Sequence, residues 1–136
     1  MALEGEIVSI SEGAKYRGTV YDYNAEIRVN GKLISFFDSA KALEDVKEGD
    51  LITFEASILT NEVEKISKER FISNFDNSHF NLTGEIIETS DSGTKVLLKT
   101  DLGEIWIKNN LDDLETDEGM WIKVKGIRMD IEELVK

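Results

Sequence analysis

The sequence predicts an all-β protein made of two small antiparallel five-stranded barrels in tandem, joined by a short linker. Three observations carry this prediction. The chain repeats itself, with Gly5-Glu6-Ile7-Val8 returning as Gly84-Glu85-Ile86-Ile87 and Glu48-Gly49-Asp50-Leu51-Ile52 returning as Glu118-Gly119-Met120-Trp121-Ile122. Between those anchors each half carries an apolar hairpin with a glycine in its turn, Ile27 to Ile34 in the first and Val96 to Ile107 in the second. Apolar and polar residues alternate through both halves, the period of a strand with one face in a core and the other in water.

The opening strand runs from the Gly5 anchor to Glu12-Gly13, and Asp91-Ser92-Gly93 punctuates its counterpart in the second half. Asn30-Gly31 between β-rich flanks predicts a type I′ hairpin, whose two central residues both need positive φ. The second hairpin turns through Asp101 and Gly103 over a longer loop. Lys47-Glu48-Gly49-Asp50 and Asp117-Glu118-Gly119 precede the fourth strand of each half, and with no proline in the chain glycine makes every tight turn. The domain limits that follow are 1–68, a linker at 69–82, and 83–136. Phe71 and Phe75 stand at helical i, i+4 spacing in that linker, which predicts a short helix packed in the seam. For Asp130 to Lys136 the spacing of Ile131, Leu134 and Val135 points to a helix and the repeat points to a strand. Barrels of about 60 residues bury only about 60% of the surface their unfolded chain exposes, so the halves are expected to lean on each other.

With 28 acidic against 16 basic residues the net charge is −12, which opposes tight electrostatic binding to nucleic acid or an anionic membrane. The stretch Ala14 to Lys41 departs from that balance. Its five basic residues (Lys15, Arg17, Arg28, Lys32, Lys41) against three acidic (Asp22, Glu26, Asp38) give +2 and leave −14 for the rest. Cysteine is absent, which removes disulfides, thiolate nucleophiles and cysteine-ligated metals and fits a reducing compartment. No basic-then-apolar leader stands at Met1 to Glu6, and no run approaches about 18 apolar residues, so the expected location is the cytoplasm, without a membrane partner. Asn81-Leu82-Thr83 matches a glycosylation sequon by letter only.

The catalytic inventory is a lone histidine, His79 in the linker, with no serine elbow, phosphate loop or metal-ligand spacing. This predicts a protein that is not an enzyme and carries no cofactor and no metal. The run Asp112 to Gly119 has carboxylates at alternating positions, but a calcium loop counted from Asp113 would place Glu118 and Val124 where glycine and glutamate are required. It reads as a solvated acidic loop.

Tyr16-Arg17-Gly18-Thr19-Val20 is an aromatic-glycine strand, and Leu33-Ile34-Ser35-Phe36-Phe37-Asp38-Ser39 is an aromatic strand ending in a small polar residue. Together with Lys47-Glu48-Gly49-Asp50-Leu51-Ile52-Thr53-Phe54, these make Leu3 to Ile66 resemble a cold-shock domain, the small member of the oligonucleotide-binding (OB) barrel group. The second half resembles only the general OB pattern. The resemblance implies a platform on which bases stack, with Tyr16, Phe36 and Phe37 on it. Asp38 stands where that family commonly has a histidine, and the lysine-glycine run before the first aromatic is degraded.

The expected function is therefore weak binding of single-stranded nucleic acid through Lys15, Tyr16, Arg17, Arg28, Lys32 and Phe36, with Phe37 and Tyr21 given up to the core. In the second half, alternation through Glu104-Ile105-Trp106-Ile107-Lys108 turns Trp106 and Lys108 outward. The same parity sends Met120, Ile122 and Val124 inward and Trp121, Lys123 and Lys125 outward. Outward tryptophans near lysines call for a partner: nucleic acid, another protein, or burial against the first barrel and the linker. The second functional expectation is an acidic adaptor that uses those tryptophans to hold a basic protein partner, imitating nucleic acid.

Overall fold

The computed structural model describes residues 2–75, 79–90, 94–111 and 114–135. Among them there is no helix, and so none long and apolar enough to cross a membrane. The chain is all-β. The first half runs β1 (Leu3–Glu12), β2 (Lys15–Tyr16), β3 (Thr19–Val20), β4 (Tyr23–Val29), β5 (Lys32–Asp38) and β6 (Leu51–Ile66). After β7 (Ser73–Asn74) come β8 (Phe80–Thr89), β9 (Val96–Lys99), β10 (Glu104–Ile107) and β11 (Trp121–Leu134).

Nine strands form one mixed sheet in the order β1-β4-β5-β11-β6-β10-β9-β8-β7, while β2 and β3 make a separate two-stranded hairpin. Two further pairings fold the sheet back on itself. Leu3 to Glu6 of β1 pair with β6, and Trp121 to Gly126 of β11 pair with β8. The first closes a ring β1-β4-β5-β11-β6, and the second closes a ring β11-β6-β10-β9-β8. This corrects the expectation of two separate barrels in tandem. β6 and β11 belong to both rings, paired antiparallel from Trp121↔Ile66 to Leu134↔Phe54 across the limits drawn at 68 and 83. Each ring takes a parallel strand from the other half: Met129↔Phe36 in one and Ile107↔Ile58 in the other.

The repeated sequence anchors make matching contacts. Ile7 N–H donates to the Asp50 carbonyl (2.9 Å) and Gly49 N–H to the Ile7 carbonyl (2.7 Å); Ile86 N–H donates to Met120 (2.8 Å) and Gly119 N–H to Ile86 (2.7 Å). Gly49 and Gly119 sit at φ 91° and 88°, where a side chain would be strained, so the two Glu-Gly turns require glycine. β1 breaks register just after Ile7 and β8 just after Ile86. Asn30 and Gly31, at φ 49° and 79°, form the predicted I′ turn.

One core serves both rings. A single row of paired residues, Ala25, Phe36, Met129, Ile58, Ile107 and Val96, is buried across six strands. Phe36 meets Phe54 edge to face, ring centroids 5.2 Å apart. The halves are also latched outside the core. Asn30 Nδ2 donates to the Asp101 carbonyl (2.8 Å), and Lys32 Nζ reaches the Ser73 carbonyl (2.9 Å) and the Asp101 carboxylate (3.3 Å).

Among its described residues the linker has no helix. Ile72 and Thr83 exchange hydrogen bonds, and Thr83 Oγ1 donates to the Arg70 carbonyl, holding the segment extended beside β8. Phe71 and Phe75 then take different partners, Phe71 stacking on Trp121 and Phe75 on Phe80, each pair with centroids 4.9 Å apart. Residues from Asp130 to Leu134 are strand, as the repeat argued. The predicted turn at Asp91-Ser92-Gly93 and the Asp112-Asp113 start of the acidic run lie outside the described residues.

Because β6 is common to both rings, Ile58→Ala is expected to destabilise the whole molecule by about 2–5 kcal/mol. Urea unfolding followed by tryptophan fluorescence, which reports the second half, and by near-ultraviolet tyrosine signals, which report the first, should give one coincident transition shifted to lower denaturant. Two transitions, with only one moved by the substitution, would contradict a shared core.

Candidate functional site

Residues paired across a ladder share a face, so the strand registers define what lies side by side on the outer surface. One outer row runs Ser11, Asn24, Phe37, Asp130, Ser57, Trp106, Leu97 and Glu88, crossing both rings. Over the first ring this surface is concave. A groove of ≈ 440 Å3 is lined by Ser9, Ser11, Asn24, Glu26, Ser35, Phe37 and Arg128, with Leu33, Phe75 and Ile127 also on its wall.

Phe37 presents a ring face that the Arg128 guanidinium covers at 4.5 Å from the centroid. Arg128 is held there by a two-pronged contact with Asp130, Nε to Oδ1 at 2.6 Å and Nη2 to Oδ2 at 3.1 Å. On the second ring Trp106 is covered by Lys95 Nζ at 4.4 Å. Between the two aromatics Lys108 pairs with Glu132, and the buried Ser57 hydroxyl donates to the same carboxylate. Burial would raise the Glu132 pKa, but the hydrogen bonds from Lys108 and Ser57 and the nearby lysine charges outweigh it, and the group titrates below its ordinary value. Glu55 lies opposite Glu133 on the β6–β11 ladder; burial first, and then the hydrogen bond and charge of Glu133, raise its pKa.

The predicted nucleic-acid residues divide. Lys15, Tyr16 and Arg17 stand together on the exposed β2–β3 hairpin, Tyr16 at 60% exposure with the Arg17 guanidinium 5.1 Å from its ring centroid. That hairpin projects from the end of the sheet where Glu12, Tyr23 and Asp38 are paired, next to Phe37. Arg28 is exposed but paired with Glu6 at 3.1 Å. Lys32 belongs to the latch with Ser73 and Asp101 instead of an open face. Phe36, carried onto the platform by resemblance, is 2% exposed and belongs to the core. Phe37, given to the core, is the one that faces outward, and Tyr21 is 53% exposed. Strand parity accounts for the exchange: counting from buried Ile34, Phe36 falls inside and Phe37 outside.

The two tryptophans do not share an open surface. Trp106 is half-buried on the outer row, whereas Trp121 is 7% exposed because the linker lies over it and Phe71 stacks on its ring. Lys123 is half-buried, and Lys125 pairs with Glu62 at 3.5 Å. Asp38, at the position where the resemblance has a histidine, is fully buried and accepts from the backbone of Ala42 and Leu43, both at 2.9 Å. It orders the segment after β5. His79 is exposed, and among the described residues no acidic or histidine cluster could hold a metal ion. Sequence reasoning named Phe37 for the platform but gave it up to the core, where parity within β5 could have kept it outside. It missed Arg128 and Lys95: Arg128 comes from β11, far from Phe37 in sequence, while Lys95 directly precedes β9, the hairpin partner of the strand that carries Trp106.

The carboxylates around Ser57 give a signed pH test. Glu132 has a lowered folded pKa, so its contribution is present above the unfolded value, about 4.3, and fades as pH falls through the folded one. Glu132→Gln should cost about 1 kcal/mol at pH 7 and progressively less below pH 4. Glu55 has a raised pKa and loses stability as pH rises through it, so Glu55→Gln should be neutral to a few tenths of a kcal/mol stabilising at pH 7, with no advantage in acid. Denaturation of both variants across that range measures the two slopes. Compared with known proteins, the chain matches no family model, no curated protein and no solved structure.

Proposed function

We propose that each ring is an OB-like barrel, the first of cold-shock type, and that the protein is a non-catalytic module binding single-stranded nucleic acid weakly in the outer groove of the first ring. Five strands closing on themselves with one parallel pair suit the partly open Greek-key form of that group. The observation that carries the functional reading is Phe37. Its ring faces out of a concave, hydroxyl-lined groove under a guanidinium, beside a hairpin that presents Tyr16 under Arg17. Aromatic faces with arginine over them accept bases without regard to sequence, each stacked base contributing about 1–3 kcal/mol. The net charge of −12 and the carboxylates paired with Lys15, Arg28 and Arg128 limit the affinity. The absence of cysteine suits a reducing compartment such as the cytoplasm.

A basic protein segment is the competing occupant. It is favoured by Leu33, Ile72 and Ile127, exposed apolar residues that adjoin the groove or its neighbouring surface with Phe75.

Anisotropy of a labelled single-stranded 12-mer separates the readings. With about three phosphate contacts, affinity should fall roughly twentyfold between about 50 and 200 mM salt. Phe37→Ala and Tyr16→Ala should each cost about 1–3 kcal/mol of binding and leave the fold intact. No saturable binding at low salt rejects the nucleic-acid reading and leaves the basic protein.

A further inference from the structure

We infer that the single-stranded ligand does not stop at the groove but crosses β5, β11, β6 and β10 to a second stacking point on the other ring, Trp106, with its backbone served by Arg128, Lys108 and Lys95. This rests on the nucleic-acid reading of the groove and adds to it a length and a direction. Phe37 and Trp106 lie on the same outer row, separated only by Asp130 and Ser57. Three inter-strand steps put their backbones about 14 Å apart, the span of roughly four nucleotides at a stacked rise of about 3.4 Å.

The two points are built alike. Each ring is half-buried at its edge, and a long cationic side chain lies on its face, Arg128 at 4.5 Å and Lys95 at 4.4 Å. Such side chains can swing aside so that a base takes the ring while the charge meets a phosphate. On the path itself Asp130 is paired with Arg128, and Glu132 with Lys108 and Ser57, while the Glu55–Glu133 pair adjoins it within reach of Lys95. Counting Arg128, Lys108 and Lys95 against Asp130 and Glu132 gives +1, and −1 when the adjoining Glu55 and Glu133 are included, near neutrality on a chain of −12. The rung beside the aromatic row pairs Arg128 with Leu59 and leads toward Lys108, whereas Glu55 and Glu133 bound the track on the opposite side. An anionic backbone is thereby confined to the basic edge, with its bases turned to the aromatics.

The test measures binding of thymidine oligonucleotides of three, six and twelve residues to the full chain at low salt. Wild type should bind the hexamer at least about tenfold more tightly than the trimer, because only the hexamer reaches both rings. Trp106→Leu should remove that gain, bringing the hexamer close to the trimer, while trimer binding falls by no more than about twofold because one of two alternative stacking points is lost. Trp106→Phe, which keeps a ring, should restore most of it, and Lys108→Gln should lower the hexamer's salt slope by about 0.7. Hexamer binding indifferent to Trp106→Leu, or no gain with length, overturns the second stacking point while leaving the groove reading standing. Wild type that binds no oligonucleotide overturns both.

Discussion

The antiparallel ladder between β6 and β11 constrains everything else, because each strand lends one end to one ring and the other end to its neighbour. At 16 and 14 residues they are about twice the length one small ring needs. Their middle rungs carry Ile58 and Met129, which face each other at the centre of the continuous buried row. A core of this kind cannot be divided without exposing apolar surface on both sides and opening unpaired strand edges on β5 and β10. The shared ladder therefore accomplishes what neither half of about 60 residues could do alone.

That ladder also creates the candidate site. Arg128 and Asp130 come from β11, yet they complete the surface of a sheet otherwise made from the first half, and Ser57 plays the corresponding part beside Trp106. The aromatic of each pair is therefore local to its own half and at least part of its surroundings is borrowed: the whole of the Arg128–Asp130 pair for Phe37, and Ser57 for Trp106, whose cation Lys95 is its own. Charge follows the same plan. Along the outer row cations and carboxylates satisfy one another, so a strongly acidic chain holds one strip of near neutrality that crosses every central strand.

What could be read in the sequence was whatever depends on near neighbours. Asn30-Gly31 specified its turn through the φ values both residues must adopt, the Glu-Gly anchors specified their turns, and alternation separated Ile105 and Ile107 from Trp106. Reasoning failed where a distant segment decided the outcome. Parity correctly put Trp121 on the face away from the core, but the linker covers that face, a fact held in hydrogen bonds between Ile72 and Thr83 and absent from any local pattern. The helical spacing of Phe71 and Phe75 lost to those same bonds. The resemblance placed both Phe36 and Phe37 on the platform, and the need of a small core for aromatics then took Phe37 from it, where strand parity would have taken Phe36. The shared strands were illegible for a different reason: a repeat gives the number of strands in each unit, not which unit's chain supplies them.

The exchange has a consequence for the order in which the molecule can assemble. During synthesis β1, β4, β5 and most of β6 are present long before β11, the last strand in sequence, supplies the parallel partner of β5. Until then β5 presents an open, aromatic-rich edge, the kind of template on which chains associate wrongly. Neither ring can finish first and shelter the other, so closure is a single late event dominated by contacts between residues far apart in the chain, the topology that folds slowly. The acidic surface, unhelpful for gripping a phosphate backbone, is well suited to keeping such half-made chains apart while they wait.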